Sequence, residues 1–294
     1  MKILVFGSMN IDLIFSVDHI VKPGETISSV SLVKSAGGKG ANQATALAKA
    51  GLPVYMAGKI GQDGQFLLEL LRSYGVNTDK VRLYEGATGQ AIIQVDKNGQ
   101  NSIVLYSGGN GQIGIEEIKE TIGEFGKDDT IVLQNEVAHL REIMEAAKNQ
   151  GLRICLNPSP CDEKIEKLPL DLVDLFFVNE IEGAALVSLP STTQAPQILD
   201  RLVERFPRAE IILTAGKDGA YYGFRKTREK GDIIDLPVVD TTGAGDTFTG
   251  YFIAARAKNC TVAQALEIAC KASSFAVSRK GAMEAIPLGK EVFT

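Results

Sequence analysis

Histidine and cysteine are scarce in this 294-residue chain, and neither is grouped. His19 and His139 are its only imidazoles, and Cys155, Cys161, Cys260 and Cys270 form no C-x-x-C pair and no metal-ligand spacing. That argues against a disulfide framework or a structural zinc and predicts reduced thiols. Basic charge is not in excess either: 31 Lys and Arg face 36 Asp and Glu, a formal charge of −5. No global positive field draws the chain to nucleic acid or to a membrane surface, so an anionic ligand must be handled by a local site. The apolar run in "MKILVFGSMNID" stops at Gly7, too short for a signal peptide, and no run approaches transmembrane length. A cytoplasmic location is the expectation. Two nucleotide signatures are missing as well. Neither "GGKG" nor "AGKDG" carries the hydroxyl residue that completes G-x-x-x-x-G-K-[ST], and no G-x-G-x-x-G follows the first strand, which disfavours a dehydrogenase.

What is present is an alternation of short apolar runs with helical patterns. Strands are predicted at Ile3–Phe6, Val54–Ala57, Thr130–Leu133, Arg153–Leu156, Leu175–Val178 and Glu210–Leu213. Helices are predicted at Gly64–Tyr74, Ile115–Phe125, Leu140–Gln150 and Ala195–Phe206. Such alternation implies βαβ crossovers: an α/β fold with a mostly parallel sheet covered on both faces. Near the end, Val262, Leu266, Ala269, Ser273, Ala276 and Val277 share one helical face whose small residues predict close helix packing. Two stretches break the rhythm. Residues 11–34 suggest strands around a Pro23-Gly24 turn, and residues 89–106 a hairpin with Asn98-Gly99 in a tight primed turn. Together they predict a small β-sheet projecting as a lid from a single domain spanning 1–294.

Several loops combine residue types that packing alone does not require. In "VVDTTGAGDTFTGYFIAARA", the carboxylate Asp246 precedes an apolar helix beside Gly243 and Gly245. A carboxylate at a helix start is common, because it meets unsatisfied N–H groups and the positive end of the dipole. The two glycines suggest in addition a backbone that something approaches closely, such as an anion. In "SAGGKGANQATALAKAG", Lys39 and Asn42 share a face in the first turn of an Ala-rich helix, and Gly51 is a C-terminal cap. The choice there lies between a solvated surface turn and a polar ligand read by both side chains. Asn10 and Asp12 follow the first strand, where open α/β sheets bind ligands, though a turn cap explains them too. In "NEIEG", Asn179 and Glu182 suit Mg²⁺, directly or through water, or else a helix cap. "ILTAGKDGA" places Thr214, Gly216 and Gly219 in a nucleotide-binding turn or a plain β-turn.

In their order, "GSMNID", "PGET", "GGKGANQA", "QNE", "NPSP", "NEIEG", "DTTGAGDTFTG" and "SRKGA" resemble the ribokinase-like (PfkB) carbohydrate kinases over essentially the whole chain. The resemblance implies a three-layer α/β/α domain and transfer of the γ-phosphoryl of ATP to a sugar hydroxyl, D-ribose giving D-ribose 5-phosphate. It implies Asp246 as base, with the amides of Gly243, Ala244 and Gly245 as anion hole. The sugar is then read by Asn10, Asp12, Gly38, Lys39, Asn42 and Glu136, since paired carboxylates and amides suit hydroxyls that both donate and accept. By the same resemblance Asn179 and Glu182 organise Mg²⁺ and the ATP phosphates, while Thr214, Gly216, Gly219 and Gly245 line the nucleotide cleft. Cys270 takes a position where the family often has a histidine near the adenine. A monovalent cation, K⁺, is implied at Asp240 and Thr242 with carbonyls of Ala276, Arg279, Gly281 and Ala285. The lid is implied to pair two subunits into a homodimer. Fructose, deoxyribose or a nucleoside are alternative acceptors, with Ala91 and Leu105 among the lid residues that set pocket size. A non-catalytic sugar-binding protein is the alternative of a different class; the intact Asp246 and glycines speak against it.

Overall fold

The computed structural model describes residues 1–293, leaving only the last residue of the expected 1–294 domain outside. Its strands, in chain order, are β1 (Ile3–Phe6), β2 (Asn10–Ser16), β3 (Ser31–Gly37), β4 (Val54–Ile60), β5 (Asn77–Leu83), β6 (Gly89–Val95) and β7 (Asn101–Tyr106), then β8 (Thr130–Gln134), β9 (Arg153–Asn157), β10 (Leu175–Asn179), β11 (Glu210–Thr214), β12 (Ala220–Phe224) and β13 (Thr227–Gly231). Its helices are α1 (Lys39–Lys49), α2 (Gln65–Ser73), α3 (Ile115–Ile122), α4 (Leu140–Asn149), α5 (Glu180–Leu186), α6 (Ala195–Arg205), α7 (Ala244–Ala257), α8 (Val262–Val277) and α9 (Gly289–Val292).

Nine strands form the main sheet in the order β13-β12-β11-β10-β9-β8-β1-β4-β5. All neighbours are parallel except at β11–β12 and β12–β13, where a hairpin closes one edge. The central strands are continuous apolar runs because both faces are covered. In β1 the side chains alternate between two cores. Ile3 and Val5 join the layer built by α1, α2, α7 and α8, whereas Leu4 and Phe6 join that of α3, α4 and α6. The result is the expected three-layer α/β/α sandwich.

The predicted strands are present, and each of β8, β9, β10 and β11 runs one residue further, ending on Gln134, Asn157, Asn179 and Thr214. Polarity hid these positions from an apolar-run reading. The polar edge strand β5 was missed for the same reason: exposed positions such as Asp79 and Arg82 carry no burial pattern. Helix α3 stops before the expected Phe125, at a C-cap on Gly123.

A second, four-stranded sheet has the order β3-β2-β6-β7 and draws on both β-rich stretches. Gly24 turns at φ +80, with Glu25 N–H donating to Lys22 O at 3.0 Å. The β6–β7 loop departs from expectation: Gly99 alone has positive φ, Gly99 N–H donates to Asp96 O, and Asp96 N–H to Gln100 O. Asp96 Oδ1 accepts from the N–H groups of Asn98 and Gln100, which stabilises this wider turn over the two-residue primed one.

Close helix packing positions the site. A Cβ on Gly250 of α7 would sit 2.4 Å from Ala46 Cβ and 2.9 Å from Leu47 N, so only glycine lets α7 lie against α1. One turn earlier on both helices, Asn42 and Gln43 reach Asp246.

Candidate active site

A crevice of about 470 Å³ opens at the carboxyl ends of the strands, bringing Lys39 and Asp246 into one space with Asn157, Asn179, Glu182 and Thr214. Lys39 starts α1 and Asp246 lies in the first turn of α7, so two helix N-termini point at the same volume.

Both oxygens of Asp246 are held by amides: Asn42 Nδ2 donates to Oδ2 at 3.0 Å and Gln43 Nε2 to Oδ1 at 2.8 Å. Withdrawal from water pushes the carboxyl pKa up, opposed by the Lys39 charge and these two hydrogen bonds. Just before it, Gly243 adopts φ +72. The Ala244 N–H turns back to Thr241 O at 3.3 Å, while those of Gly243 and Gly245 find no acceptor among the described residues. A Cβ on Gly245 would meet nothing within 4 Å. No protein group demands glycine there; the vacated space belongs to the crevice.

Lys39 is a focus of charge. Burial works against its ammonium, but Asp246, Glu136, Glu182 and Asp12 together raise its pKa. Four carboxylates around one cation leave an excess of negative charge. Asp12 is itself pushed up to about 7, by burial and then by Glu136, with Lys39 pulling the other way. Glu136 accepts from Ser8 Oγ and lies 3.8 Å from Lys39 Nζ.

Asn10 and Asp12 sit on β2, and their neighbours explain two glycines. A Cβ on Gly37 would fall 2.1 Å from Asp12 Oδ2, and one on Gly38, at φ +96, would fall 2.8 Å from Ser8 O and 2.9 Å from Asn10 N. Asn110 Nδ2 donates to Asn10 Oδ1 at 2.7 Å, which commits the Asn10 oxygen as acceptor and keeps its NH₂ as the donor end. Ser8, Gln43, Asn110 and Gln134 were not singled out as site residues from the sequence. Gln43 did carry a signal, a polar residue on a helix face shared with Gly40 and Leu47.

At the other end of the crevice, Asn179 and Glu182 form a reciprocal helix cap: Asn179 Oδ1 accepts from Glu182 N at 2.8 Å and Glu182 Oε2 from Asn179 N at 3.0 Å. The capping role is realised, and Glu182 Oε1 stays free at the crevice wall. Gly216 lines the crevice, but Gly219 does not. A Cβ on Gly219 would lie 2.1 Å from Gly231 O, so it closes a turn against β13. Cys270 also stays outside. It is 2% exposed, packs against Gly231, and burial holds its thiol at about 12.

Asp240 Oδ1 accepts from Thr242 N and Oδ2 from Gly281 N, at 2.9 and 3.0 Å, tying the loop before α7 to the segment after α8. Arg279 N donates to Ala276 O, the Arg279 guanidinium pairs with Glu291, and Ala285 is buried. Among the described residues no three His, Cys, Asp or Glu side chains cluster to hold a metal.

The family described as pfkB family carbohydrate kinase matches residues 1–288. The chain is 33% identical to a curated ribokinase of Staphylococcus aureus, over 99% of this chain and 98% of that one. A solved ribokinase of Cryptococcus neoformans in complex with ADP superposes with a TM-score of 0.87 at 34% identity, covering 99% and 98% of the two chains. An Arabidopsis thaliana ribokinase solved with ribose and ATP gives 0.87 at 30% identity, covering 99% and 97%.

Proposed function

The chain belongs to the pfkB family of carbohydrate kinases, and from that premise we propose that it transfers the γ-phosphoryl group of ATP to the 5-hydroxyl of D-ribose. The observation that carries this reading is the juxtaposition of a doubly hydrogen-bonded Asp246, two unpartnered glycine amides and Lys39 in one crevice.

In this reading Asp246 accepts the hydroxyl proton as the sugar oxygen bonds to the γ-phosphorus and the bond to the ADP oxygen breaks. A pKa raised by burial suits a base that must hold that proton. The N–H groups of Gly243 and Gly245, with Lys39, face the charge spread over the transferred group. Asn10 donates to sugar oxygens while Asp12 and Glu136 accept from sugar hydroxyls. Asn42 Oδ1, buried with no partner in the protein, is one more acceptor for them. Thr214 and Gly216 flank the nucleotide.

The donor set fits cations as helpers. A crevice already rich in carboxylates does not admit a polyphosphate without counter-charge. Glu182 Oε1 with Asn179 would hold Mg²⁺ largely through water and phosphate, and the Asp240 loop with carbonyls of the 276–285 segment would hold K⁺. When bound, these ions supply charge screening and a fixed loop geometry.

The four-stranded sheet acts as the lid in this reading. It exposes Leu32, Val33, Ile103, Val104, Leu105 and Tyr106, apolar surface that suits pairing with a second copy into a homodimer. A cytoplasmic setting, where ATP is available, is part of this reading. Among the described residues no helix is long and apolar enough to cross a membrane.

ATP consumption across a panel of D-ribose, 2-deoxyribose, fructose and nucleosides tests the proposal. D-Ribose is expected to give the highest kcat/KM with phosphate on the 5-hydroxyl; preference for another acceptor, or no turnover, overturns it.

A further inference from the structure

Two glutamines lie behind the catalytic carboxylate, and the proposed chemistry does not yet use them. Gln43 and Gln134 are both fully buried. Gln43 Nε2 donates to Asp246 Oδ1 at 2.8 Å, and Gln134 Nε2 donates to Gln43 Oε1 at 2.7 Å. The three residues come from three elements, α7, α1 and the end of β8. A buried amide pair of this kind is costly unless its hydrogen bonds are made. Here the last acceptor, Gln134 Oε1, has none. It abuts the backbone at Gly7, where a Cβ would lie 2.0 Å away. Core packing alone favours an apolar side chain at such positions, so the arrangement answers to something other than stability.

We propose that Gln43 and Gln134 form an amide relay that positions Asp246, fixing its carboxylate plane towards the sugar hydroxyl and keeping it ionised at neutral pH. The direction of the relay is dictated from its charged end. If Gln43 were flipped, its carbonyl oxygen would face a carboxylate oxygen across 2.8 Å. With the Nε2 group committed to Asp246, its Oε1 must accept, which turns the Gln134 NH₂ inward. Two N–H dipoles are thereby aligned in series on one oxygen. Asn42 holds the other oxygen, so the carboxylate cannot rotate without breaking a hydrogen bond. Each oxygen retains a lone pair for the substrate proton. Gln134 lies two residues before Glu136, and the relay therefore also links the loop reading the sugar to the group that deprotonates it.

The charges facing Asp246 are Lys39 at the start of α1 and Glu136 after β8, with Glu182 of α5 acting on Lys39 across the crevice. Gln43 is the neutral member that offsets the burial cost of the ionised form, alongside Asn42. Removing it favours protonation of Asp246 and lifts the acid limb of the rate profile. This inference rests on the kinase reading, and the experiment keeps the two apart. If wild-type protein phosphorylates no sugar, the kinase reading fails. If wild type turns over and the variants keep its pH profile, only the relay fails.

The test compares kcat and KM against pH for wild type, Gln43→Met and Gln134→Met, using the best sugar of the panel, with sugar affinity measured by calorimetry. Gln43→Met is expected to move the acid limb of kcat up by about one pH unit, a loss of about tenfold below the limb that is regained above it. KM for the sugar changes less than kcat. Gln134→Met, which leaves the Gln43 contact but frees its amide to rotate, shifts the limb in the same direction by less. It serves alone should Gln43→Met not fold. A uniform loss at every pH, or a limb unmoved in the variant that folds, overturns the proposal.

Discussion

Glu136 meets Lys39 twice: its Oε2 accepts from the Lys39 backbone N–H at 3.4 Å, and its Oε1 lies 3.8 Å from the Lys39 ammonium. One carboxylate thus anchors both the start of α1 and the side chain that leaves it. Since Asn42 and Gln43 lie in the first turns of the same helix, the geometry around Asp246 depends on a residue that follows β8, far from it in the chain.

Asp246→Asn is expected to lower kcat by about 10³-fold, within the usual range for losing a general base, while sugar affinity changes only a few-fold. The amide keeps the volume and can still accept from Asn42, but it cannot take the proton. Steady-state rates beside calorimetric sugar titration decide it; a variant as fast as wild type removes Asp246 from the base role.

Gly245→Ala separates stability from activity. Nothing lies within 4 Å of the added methyl, and alanine in the first turn of a helix is preferred over glycine, so stability should rise by roughly 0.5–1 kcal/mol. The same methyl occupies the crevice where the transferred group needs room, and kcat should fall by at least about tenfold. Thermal melts and rates are measured together. Full activity in the variant would show that no ligand approaches Gly245.

Sugar binding is expected to depend on pH through Asp12. Its pKa, pushed up by burial and Glu136 to about 7 from the ordinary carboxylate value of 3.8, means that the folded state holds a proton the unfolded chain has lost. Stability of the ligand-free protein therefore falls as pH rises between these values, the reverse of the usual paired carboxylate. The ionised form accepts from sugar hydroxyls, so sugar KM should drop as pH rises through about 7. Asp12→Asn should raise KM and flatten that dependence. A wild-type KM that is constant across the window argues that Asp12 is already ionised.

Activity should rise when Na⁺ is exchanged for K⁺ at constant ionic strength. Asp240 ties Thr242 to Gly281 and so fixes the loop that carries the Gly243 and Gly245 amides. Equal rates in the two salts count against an ion in that loop.

Sequence reading reached the layered sheet and the two glycine-rich turns because apolar runs and glycine beside charge are local signals. It stopped short at the carboxyl ends of β8 to β11, where each strand finishes on a polar residue: Asn157, Asn179 and Thr214 line the crevice, and Gln134 is buried behind it. It also did not single out Gln43, Gln134 and Asn110, whose roles rest on contacts between residues far apart in the chain, although Gln43 left a trace as a polar residue on an otherwise small and apolar helix face. Gly219 and Cys270 show the converse. Both sit near functional-looking motifs, and what the structure shows for them is contact with Gly231 of β13: Gly219 closes a turn against its carbonyl, and the Cys270 thiol packs beside it.

The strand carrying Asn10 and Asp12 belongs to the small projecting sheet, and that sheet leaves the main body at Gly7, directly after β1. Its neighbour β3 runs straight into the lysine that begins α1. On the proposed kinase reading the cover and the grip are one piece of chain, and whatever swings the cover would also carry the groups proposed to hold the sugar. Capture and enclosure would then be a single mechanical event, and a change that stiffens this junction is expected to alter affinity and turnover together.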